Sequence, residues 1–211
     1  MLLYKERHIN KKWQIAVWKI TETVEELSSL VNDAAIVSYA NEHFAGIKRR
    51  SEWLATRLLV KELLGQNAQI EYDQTGKPYI KDIPSVSITH TDGYVAVIVS
   101  YNLQVGIDIE RRNRCLNETY KRFMSEQECA MLEIENRNDI MLVHWTAKEA
   151  LFKIVGNLGG TFKDNISLSH FKYEKNGEVN LCLHNVVATH YTYKVEFSVN
   201  EMFVLSVCYP L

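Results

Sequence analysis

The sequence predicts an α+β protein built as two similar halves, and three observations support this fold class. Alternating patterns typical of strands lie between residues 85 and 110, two long segments have helical periodicity, and 166–208 is again rich in strand patterns. The order strand, helices, long helix and several strands occurs once before Leu103 and again from Gln104. The duplication is architectural, because the halves show no evident sequence identity. We therefore predict one subdomain over 1–103 and a second over 104–211.

Length, charge and composition narrow the class of protein. A chain of 211 residues can bury a good core, and its net charge of −2 provides no overall field for nucleic acid. No apolar run is long enough to span a membrane, and the N-terminus lacks the apolar core of a signal peptide. The cysteines have neither metal-site nor disulfide-framework spacing, which favours reduced thiols in the cytosol: Cys115, Cys129, Cys182 and Cys208.

The first predicted elements are a strand and two helices. A strand is expected over 13–20. Thr23 and Glu26 have the spacing of a capping box, which predicts a helix over 24–32. A short helix is expected over 34–40.

A longer helix is predicted over 44–64, ended by Gly65. Its apolar residues form one stripe that should be buried: Ile47, Leu54, Leu58 and Leu63. Its basic residues lie off that stripe, as a solvated face or an anion site: Lys48, Arg49, Arg50 and Arg57.

Turn signals then separate a series of short strands. An extended segment at 70–73 leads into the turn 74–78, which contains both Gly and Pro. Residues 85–100 read as a hairpin turning at Asp92-Gly93. We expect the strand that follows, 104–110, to lie beside this hairpin in one antiparallel sheet.

Val105 to Glu110 alternates between an apolar face and a polar face. The polar face contains Gly106, Asp108 and Glu110. A glycine there would let a ligand approach the backbone closely. Two carboxylates two residues apart repel each other unless a cation lies between them. This strand is therefore a candidate metal-binding element.

Trp145 to Lys153 reads as a helix. A buried stripe is predicted for Ala147, Ala150, Leu151 and Ile154. Trp145, Glu149 and Lys153 share a different face. Three carboxylates suit Mg²⁺, and a neighbouring lysine suits phosphate, so the two blocks together indicate metal-assisted phosphoryl chemistry.

The remaining elements of the second half follow from caps and turns. Ser125 and Glu128 form a second capping box, which predicts a helix to about residue 136. Asp139 is expected to cap the helix carrying Trp145, and Gly156 to end it. Strands are expected at 166–174, 179–184, 190–198 and 202–208, with Asn176-Gly177 as a hairpin turn.

Two blocks, Gly106 to Glu110 and Trp145 to Lys153, resemble the signature of the 4′-phosphopantetheinyl transferases. Arg122 to Glu128 resembles a third segment of that family. Either block alone is more often a solvated strand or helix face. Their joint occurrence at this spacing is far more specific. The resemblance, in particular to the larger two-subdomain type, implies two α+β halves related by a pseudo-twofold axis, with the active site at their interface, in a monomer.

The resemblance also implies roles in the second half. Asp108, Glu110 and Glu149 would bind Mg²⁺ against the diphosphate of coenzyme A. Lys153 would neutralise a phosphate, and Lys148 would contact the same region. Glu149, or a water on the metal beside it, is the candidate general base.

The coenzyme A site is expected mainly in the first half. By resemblance, Arg50 and Arg57 would bind its 3′-phosphate end, although the sequence leaves open which of Lys48, Arg49 and Arg50 makes that contact. Lys77 and Pro78 of the Gly-Lys-Pro turn would line the site. The family has Asn-x-Ser-His where this chain has Ser87-Ile88-Thr89-His90. Thr89 keeps a hydroxyl for a phosphate oxygen, and His90 would bind the diphosphate, with proton donation to the leaving group as a further candidate role.

The implied reaction is Mg²⁺-dependent transfer of 4′-phosphopantetheine from coenzyme A to a serine of an apo acyl or peptidyl carrier protein. A basic cluster provides a candidate surface for that acidic partner: Arg111, Arg112, Arg114, Lys121 and Arg122. Two alternatives stay open at this point. One is another Mg²⁺-dependent phosphoryl or diphosphate enzyme, and the other is an inactive carrier-binding homologue.

Overall fold

In a computed structural model that describes residues 1–8, 13–186 and 191–211, the chain divides into two compact units, Met1–Leu103 and Gln104–Leu211. Each unit contains an antiparallel sheet, a long helix and its own apolar core. The α+β fold class is confirmed. Within the described ranges no helix is long and apolar enough to cross a membrane.

The first unit has a four-stranded sheet in the order β1-β2-β6-β5, and its longest helix, α3, packs against β2 and β6. Its elements are β1 (Leu2–His8), β2 (Trp13–Lys19), α1 (Val24–Val31), α2 (Ala34–His43), α3 (Ile47–Leu64), β3 (Glu71–Tyr72), β4 (Pro78–Tyr79), β5 (Ser85–Thr91) and β6 (Tyr94–Ser100).

Local signals explain the helix ends of this unit. The Thr23 hydroxyl accepts from the Glu26 N–H, and the Glu26 carboxylate accepts from the Thr23 N–H, so the predicted capping box is present. Gly65 ends α3 with a φ of +96°, which favours glycine. Ile47 is the first residue of α3 and is 68% exposed, so its predicted burial is wrong. The prediction also missed β1.

The second unit has a five-stranded sheet in the order β7-β11-β10-β9-β8, with its longest helix, α5, packed against β7 and β11. Its elements are β7 (Gly106–Arg111), a 3-10 turn (Tyr120–Arg122), α4 (Glu126–Ala130), α5 (Arg137–Val155), α6 (Phe162–Asn165), β8 (Ile166–Leu168), β9 (Asn176–Leu183), β10 (Thr192–Val199) and β11 (Phe203–Pro210).

The two units share the arrangement of three strands, β2-β6-β5 and β7-β11-β10. In each, the strand before the long helix pairs with the last strand of the unit, β2 with β6 and β7 with β11. That last strand also pairs with the strand before it, β5 or β10. The predicted neighbourhood of 104–110 and the 85–100 hairpin is therefore wrong. Because β2 and β5 already occupy both edges of β6, β7 finds its partner in β11.

Two further predictions for the second unit are corrected. Asn176 and Gly177 are the first residues of β9 and do not form a hairpin turn. A Cβ on Gly177 would lie 2.6 Å from the ring of Phe197, so the glycine makes room for a cross-strand aromatic side chain. The helix starting at Glu126 ends at Ala130, short of residue 136. Residue 190, where a strand was predicted to begin, lies outside the described residues.

Candidate functional site

Asp108 lies on β7 and binds the ammonium group of Lys153. Lys153 Nζ, on α5, donates to Asp108 Oδ1 at 2.8 Å and to the Ile107 carbonyl at 2.7 Å. Asp108 is 7% exposed, so this carboxylate is largely shielded from water. A buried anion needs a nearby cation, and Lys153 supplies that charge.

Glu110, two residues further along β7, accepts hydrogen bonds from the side chains of Arg114 and Trp145. The Trp145 Nε1–H donates to Glu110 Oε1 at 3.0 Å. The Arg114 guanidinium also donates to Oε1, and its Cζ lies 5.3 Å from the centroid of the Trp145 ring. Both predicted metal ligands of the strand are therefore held by cationic or N–H groups from the second unit.

Glu149 lies between Trp145 and Lys153 on the same face of α5. Burial and the charge of Asp108 raise the pKa of Glu149 to about 7, while the ammonium group of Lys153 opposes that rise. The electrostatic coupling means that Asp108 and Glu149 share one environment. A carboxyl whose pKa is raised toward neutral pH is suited to exchange protons with a substrate.

The donor chemistry of these three carboxylates fits a divalent cation. They are hard oxygen ligands, and a cation would relieve the repulsion that raises the pKa of Glu149. The described part of the chain contains no group of three His, Cys, Asp or Glu side chains already arranged as ligands. Instead, Lys153 and Arg114 neutralise two of the carboxylates.

Gly106 was predicted to let a ligand approach the backbone of β7. In the structure, it is helix α5 that packs against this glycine. A Cβ on this residue would overlap the backbone carbonyl of Ala150 on α5 and would lie 3.2 Å from Cγ1 of Ile154. The missing side chain lets α5 press directly onto β7. This close approach is what brings Glu149 and Lys153 next to the strand carboxylates.

Lys148, predicted to contact a substrate phosphate, is an interior residue. It is 0% exposed, and Nζ donates to Glu128 Oε2 at 2.8 Å and to the carbonyls of Phe123 and Ile166 at 2.7 and 2.9 Å. All three of its N–H donors are thus used inside the second unit. We correct the prediction and remove Lys148 from the coenzyme A site.

Side-chain hydrogen bonds that the sequence did not predict fix the segment after β7. Arg112 Nε and Nη2 donate to the two oxygens of Asp139 at 3.0 and 2.8 Å, and the Tyr173 hydroxyl donates to Oδ2 at 2.7 Å. Asn138 Nδ2 donates to the carbonyls of Arg112 and Arg114. The predicted capping role of Asp139 is wrong, because Asn136 precedes the helix and Asp139 binds Arg112 instead.

Ion pairs with Asp139 and Glu110 reduce the number of free basic side chains in the predicted carrier-binding cluster. Arg112 and Arg114 are committed to Asp139 and Glu110, whereas Lys121 and Arg122 are exposed. The basic charge available to an acidic partner in this region is therefore smaller than the sequence suggests.

In the first unit, Arg57 is buried, so the alternative of a solvated helix face does not hold for this residue. It is 7% exposed, with its guanidinium over the Trp53 ring. Its N–H groups donate to the Trp53 carbonyl and the Tyr72 hydroxyl, each at 3.4 Å. An incoming phosphate would have to compete with these contacts. Arg50 donates to Asn41 Oδ1 at 3.3 Å.

Arg49 is the basic residue of α3 that lies beside His90. Its Nη1 is 2.7 Å from His90 Nε2. Thr89, next to His90 on β5, is 5% exposed and therefore largely buried. Lys77 is exposed on the turn before β4, and Pro78 is the first residue of that strand. The sequence could not distinguish Arg49 from Lys48 and Arg50, since all three lie off the apolar stripe of the helix.

Comparison with known proteins relates the second unit to one family. Residues 104–208 match the family model described as the 4′-phosphopantetheinyl transferase superfamily. The chain is 26% identical over 173 residues to the 4′-phosphopantetheinyl transferase HetI of Nostoc sp., covering 74% of this chain and 71% of the relative. It is 30% identical over 127 residues to the 4′-phosphopantetheinyl transferase gsp of Aneurinibacillus migulanus, covering 58% of this chain and 53% of that relative, about half its length.

A holo-(acyl-carrier-protein) synthase from Bacillus anthracis, solved in complex with CoA (3′,5′-ADP), is a structural neighbour. It is 23% identical, its TM-score is 0.40, and the match covers 50% of this chain and 93% of that one.

Proposed function

The chain belongs to the 4′-phosphopantetheinyl transferase superfamily and is an enzyme of that class, and on this premise we propose its reaction and its site. It transfers the 4′-phosphopantetheine group of coenzyme A to a serine of an apo acyl or peptidyl carrier protein, in a Mg²⁺-dependent step. The observation that carries the proposal is the meeting of Asp108, Glu110, Glu149 and Lys153 in the unit that matches the family.

The reaction exchanges one phosphorus–oxygen bond for another. The serine oxygen of the carrier bonds to the phosphorus that bears pantetheine. The bond from that phosphorus to the bridging oxygen of the diphosphate breaks, and adenosine 3′,5′-bisphosphate leaves with that oxygen. Charge on the phosphate oxygens rises or spreads along this path, so positive groups beside the diphosphate should lower the barrier.

Residues of the second unit have distinct tasks in this proposal. Asp108, Glu110 and Glu149 would hold Mg²⁺, which supplies charge stabilisation to the diphosphate when it is bound. Lys153, already on Asp108, is within reach of the same region and neutralises phosphate charge. Glu149 is also the candidate general base, which would take up the proton that the serine hydroxyl releases.

Residues of the first unit bind coenzyme A in this proposal. We keep Arg50, Arg57, Lys77, Pro78, Thr89 and His90 as candidates. We add Arg49, because its guanidinium contacts His90 at 2.7 Å, and a guanidinium is suited to a phosphate. The location of the active site between the two units, the monomeric state and the cytosolic location stay predictions.

Intact-protein mass spectrometry tests the proposal. An apo carrier protein is incubated with the enzyme and coenzyme A, either with Mg²⁺ or with a chelator. A Mg²⁺-dependent gain of one phosphopantetheine is the expected result. Consumption of coenzyme A without modification of any carrier would instead indicate a diphosphate hydrolase, and carrier binding without modification would indicate an inactive homologue. Either of these results would overturn the proposed transfer.

A further inference from the structure

We propose that Glu52 is a positioning residue for His90, which it holds with the imidazole proton on Nδ1. Glu52 lies on α3 and His90 on β5, both within the first unit. The inference rests on the proposed function only for the identity of the anion that His90 binds. The arrangement of the side chains stands independently of that function.

Glu52 is a buried carboxylate that faces two nitrogen groups. It is 3% exposed, and its Oε2 lies 3.4 Å from Arg49 Nη1 and 3.5 Å from His90 Nδ1. Its Oε1 has no hydrogen-bond partner among the residues that the structure describes. Burial of a carboxylate is costly unless nearby cations or N–H groups compensate its charge. For Glu52, Arg49 and His90 are the groups that face the carboxylate.

The contact between Arg49 and His90 fixes the tautomer of the imidazole. Arg49 Nη1 lies 2.7 Å from His90 Nε2, and a guanidinium has donors but no acceptor. Nε2 must therefore accept, and it cannot carry a hydrogen while Arg49 donates to it. The single proton of the neutral ring is then on Nδ1, which is the nitrogen that faces Glu52.

This arrangement prepares His90 to bind an anion. A phosphate that draws the Arg49 guanidinium toward itself leaves the lone pair of Nε2 open. His90 has a side chain that is 45% exposed, so solvent can supply the proton that makes an imidazolium. The new Nε2–H then donates to the anion, while Glu52 stabilises the positive ring through Nδ1–H. Glu52 thus acts through His90 and need not touch the substrate.

The ring proton can be located directly by a long-range proton–nitrogen correlation spectrum of isotope-labelled protein. In the ligand-free wild type we expect the neutral Nδ1–H tautomer. E52Q removes the negative charge that faces both the Arg49 guanidinium and Nδ1 of His90, so Arg49 is no longer held against Nε2. The new side-chain amide can also donate to Nδ1, so we expect loss of that tautomer in favour of Nε2–H or a mixture. E62Q, an exposed residue on the same helix, is the matched control and should leave the wild-type pattern unchanged.

Inorganic diphosphate provides the second readout. Its titration into the wild type should convert the His90 signals to those of imidazolium, and E52Q should need about ten times more diphosphate, the effect of one lost charged interaction of ordinary strength. A wild-type spectrum with the proton on Nε2 would overturn the proposal. This test uses the wild type alone, so it remains valid even if E52Q does not fold. Identical tautomers in wild type and E52Q would overturn it as well.

The spectra and the activity assay together distinguish failure of the proposed function from failure of the proposed role of Glu52. Failure of the wild type to modify any carrier protein would refute the proposed function and leave the tautomer result standing. In the active enzyme, E52Q should raise the KM for coenzyme A about tenfold and leave the KM for the carrier unchanged. Equal changes in both would indicate a general structural defect and would count against a positioning role.

Discussion

Lys148 and Glu128 form an ion pair in the interior of the second unit, with Nζ and Oε2 2.8 Å apart and neither side chain more than 2% exposed. Burial alone would raise the pKa of Glu128, but the His144 imidazole 3.5 Å away and the charge of Lys148 lower it to about 2. Glu128 also accepts from the backbone N–H groups of Ser125 and Leu168. The pair therefore ties the start of α4 and the strand β8 to α5.

Lys148→Met is expected to destabilise the protein, because it leaves the Glu128 carboxylate buried without its cation. The expected loss is about 3–5 kcal/mol in the free energy of unfolding, measured by urea denaturation. Lys163→Met, at an exposed position, should cost far less. If Lys148 bound a substrate phosphate instead, the variant would keep its stability and raise the KM for coenzyme A.

Gly106→Ala is expected to weaken the contact between β7 and α5. The added Cβ would overlap the Ala150 carbonyl, which belongs to the helix backbone and cannot rotate away. A loss of about 1–3 kcal/mol is expected, as for other overpacked core positions. Gly46→Ala is a suitable control, since nothing lies within 4 Å of the Cβ it would add. A G106A variant as stable as the wild type would show that the site admits a side chain.

Features governed by neighbouring residues could be predicted from the sequence. Thr23 with Glu26, and Ser125 with Glu128, form the predicted capping boxes because each box depends on one helix turn. The Asp92-Gly93 turn joins β5 to β6 as predicted. Short-range chemistry decides such elements, and the sequence displays it directly.

Features governed by distant residues could not be predicted. Arg112 meets Asp139 across 27 positions of sequence, and β7 meets β11 across nearly the whole second unit. The periodicity of α5 shows which residues share a face, but not whether Lys148 points into the core or toward a ligand. That distinction depends on Glu128 and the carbonyls around it, which other elements provide.

Glu149→Gln is expected to stabilise the metal-free protein at alkaline pH. The folded-state pKa of Glu149 is raised from 4.5 to about 7, so the folded state binds this proton more tightly than the unfolded state. The associated stability is fully present below pH 4.5 and is lost as the pH rises through about 7. Glutamine stays neutral and avoids that loss.

Urea unfolding with a chelator at pH 5 and pH 8 measures this effect. Relative to the wild type, E149Q should gain about 1–2 kcal/mol at pH 8 beyond any difference at pH 5, a gain reduced by solvent screening at this partly exposed site. Glu135→Gln, at an exposed position, is the control for removal of one negative charge. A difference that does not change with pH would contradict the raised pKa.

Asp108→Ala is expected to give a folded protein that no longer modifies a carrier. It removes a candidate metal ligand and the carboxylate that holds Lys153, so we expect activity to fall by at least about 100-fold. Circular dichroism checks the fold and intact mass measures the product. Glu118→Ala, exposed in the loop after β7, should keep wild-type activity. Full activity in D108A would remove this residue from the metal site.

Arg114→Gln is expected to strengthen the binding of a divalent cation, because the Arg114 guanidinium now neutralises Glu110. A metal ion must displace that partly exposed ion pair, whose removal should raise affinity about two- to fivefold. Titration with Mn²⁺, followed by the electron paramagnetic resonance of the free ion, measures this without any substrate. Lys121→Gln removes the same charge from an exposed position outside the carboxylate cluster. Equal gains in both variants would show a general charge effect, and no gain in R114Q would show that Arg114 does not compete with the metal.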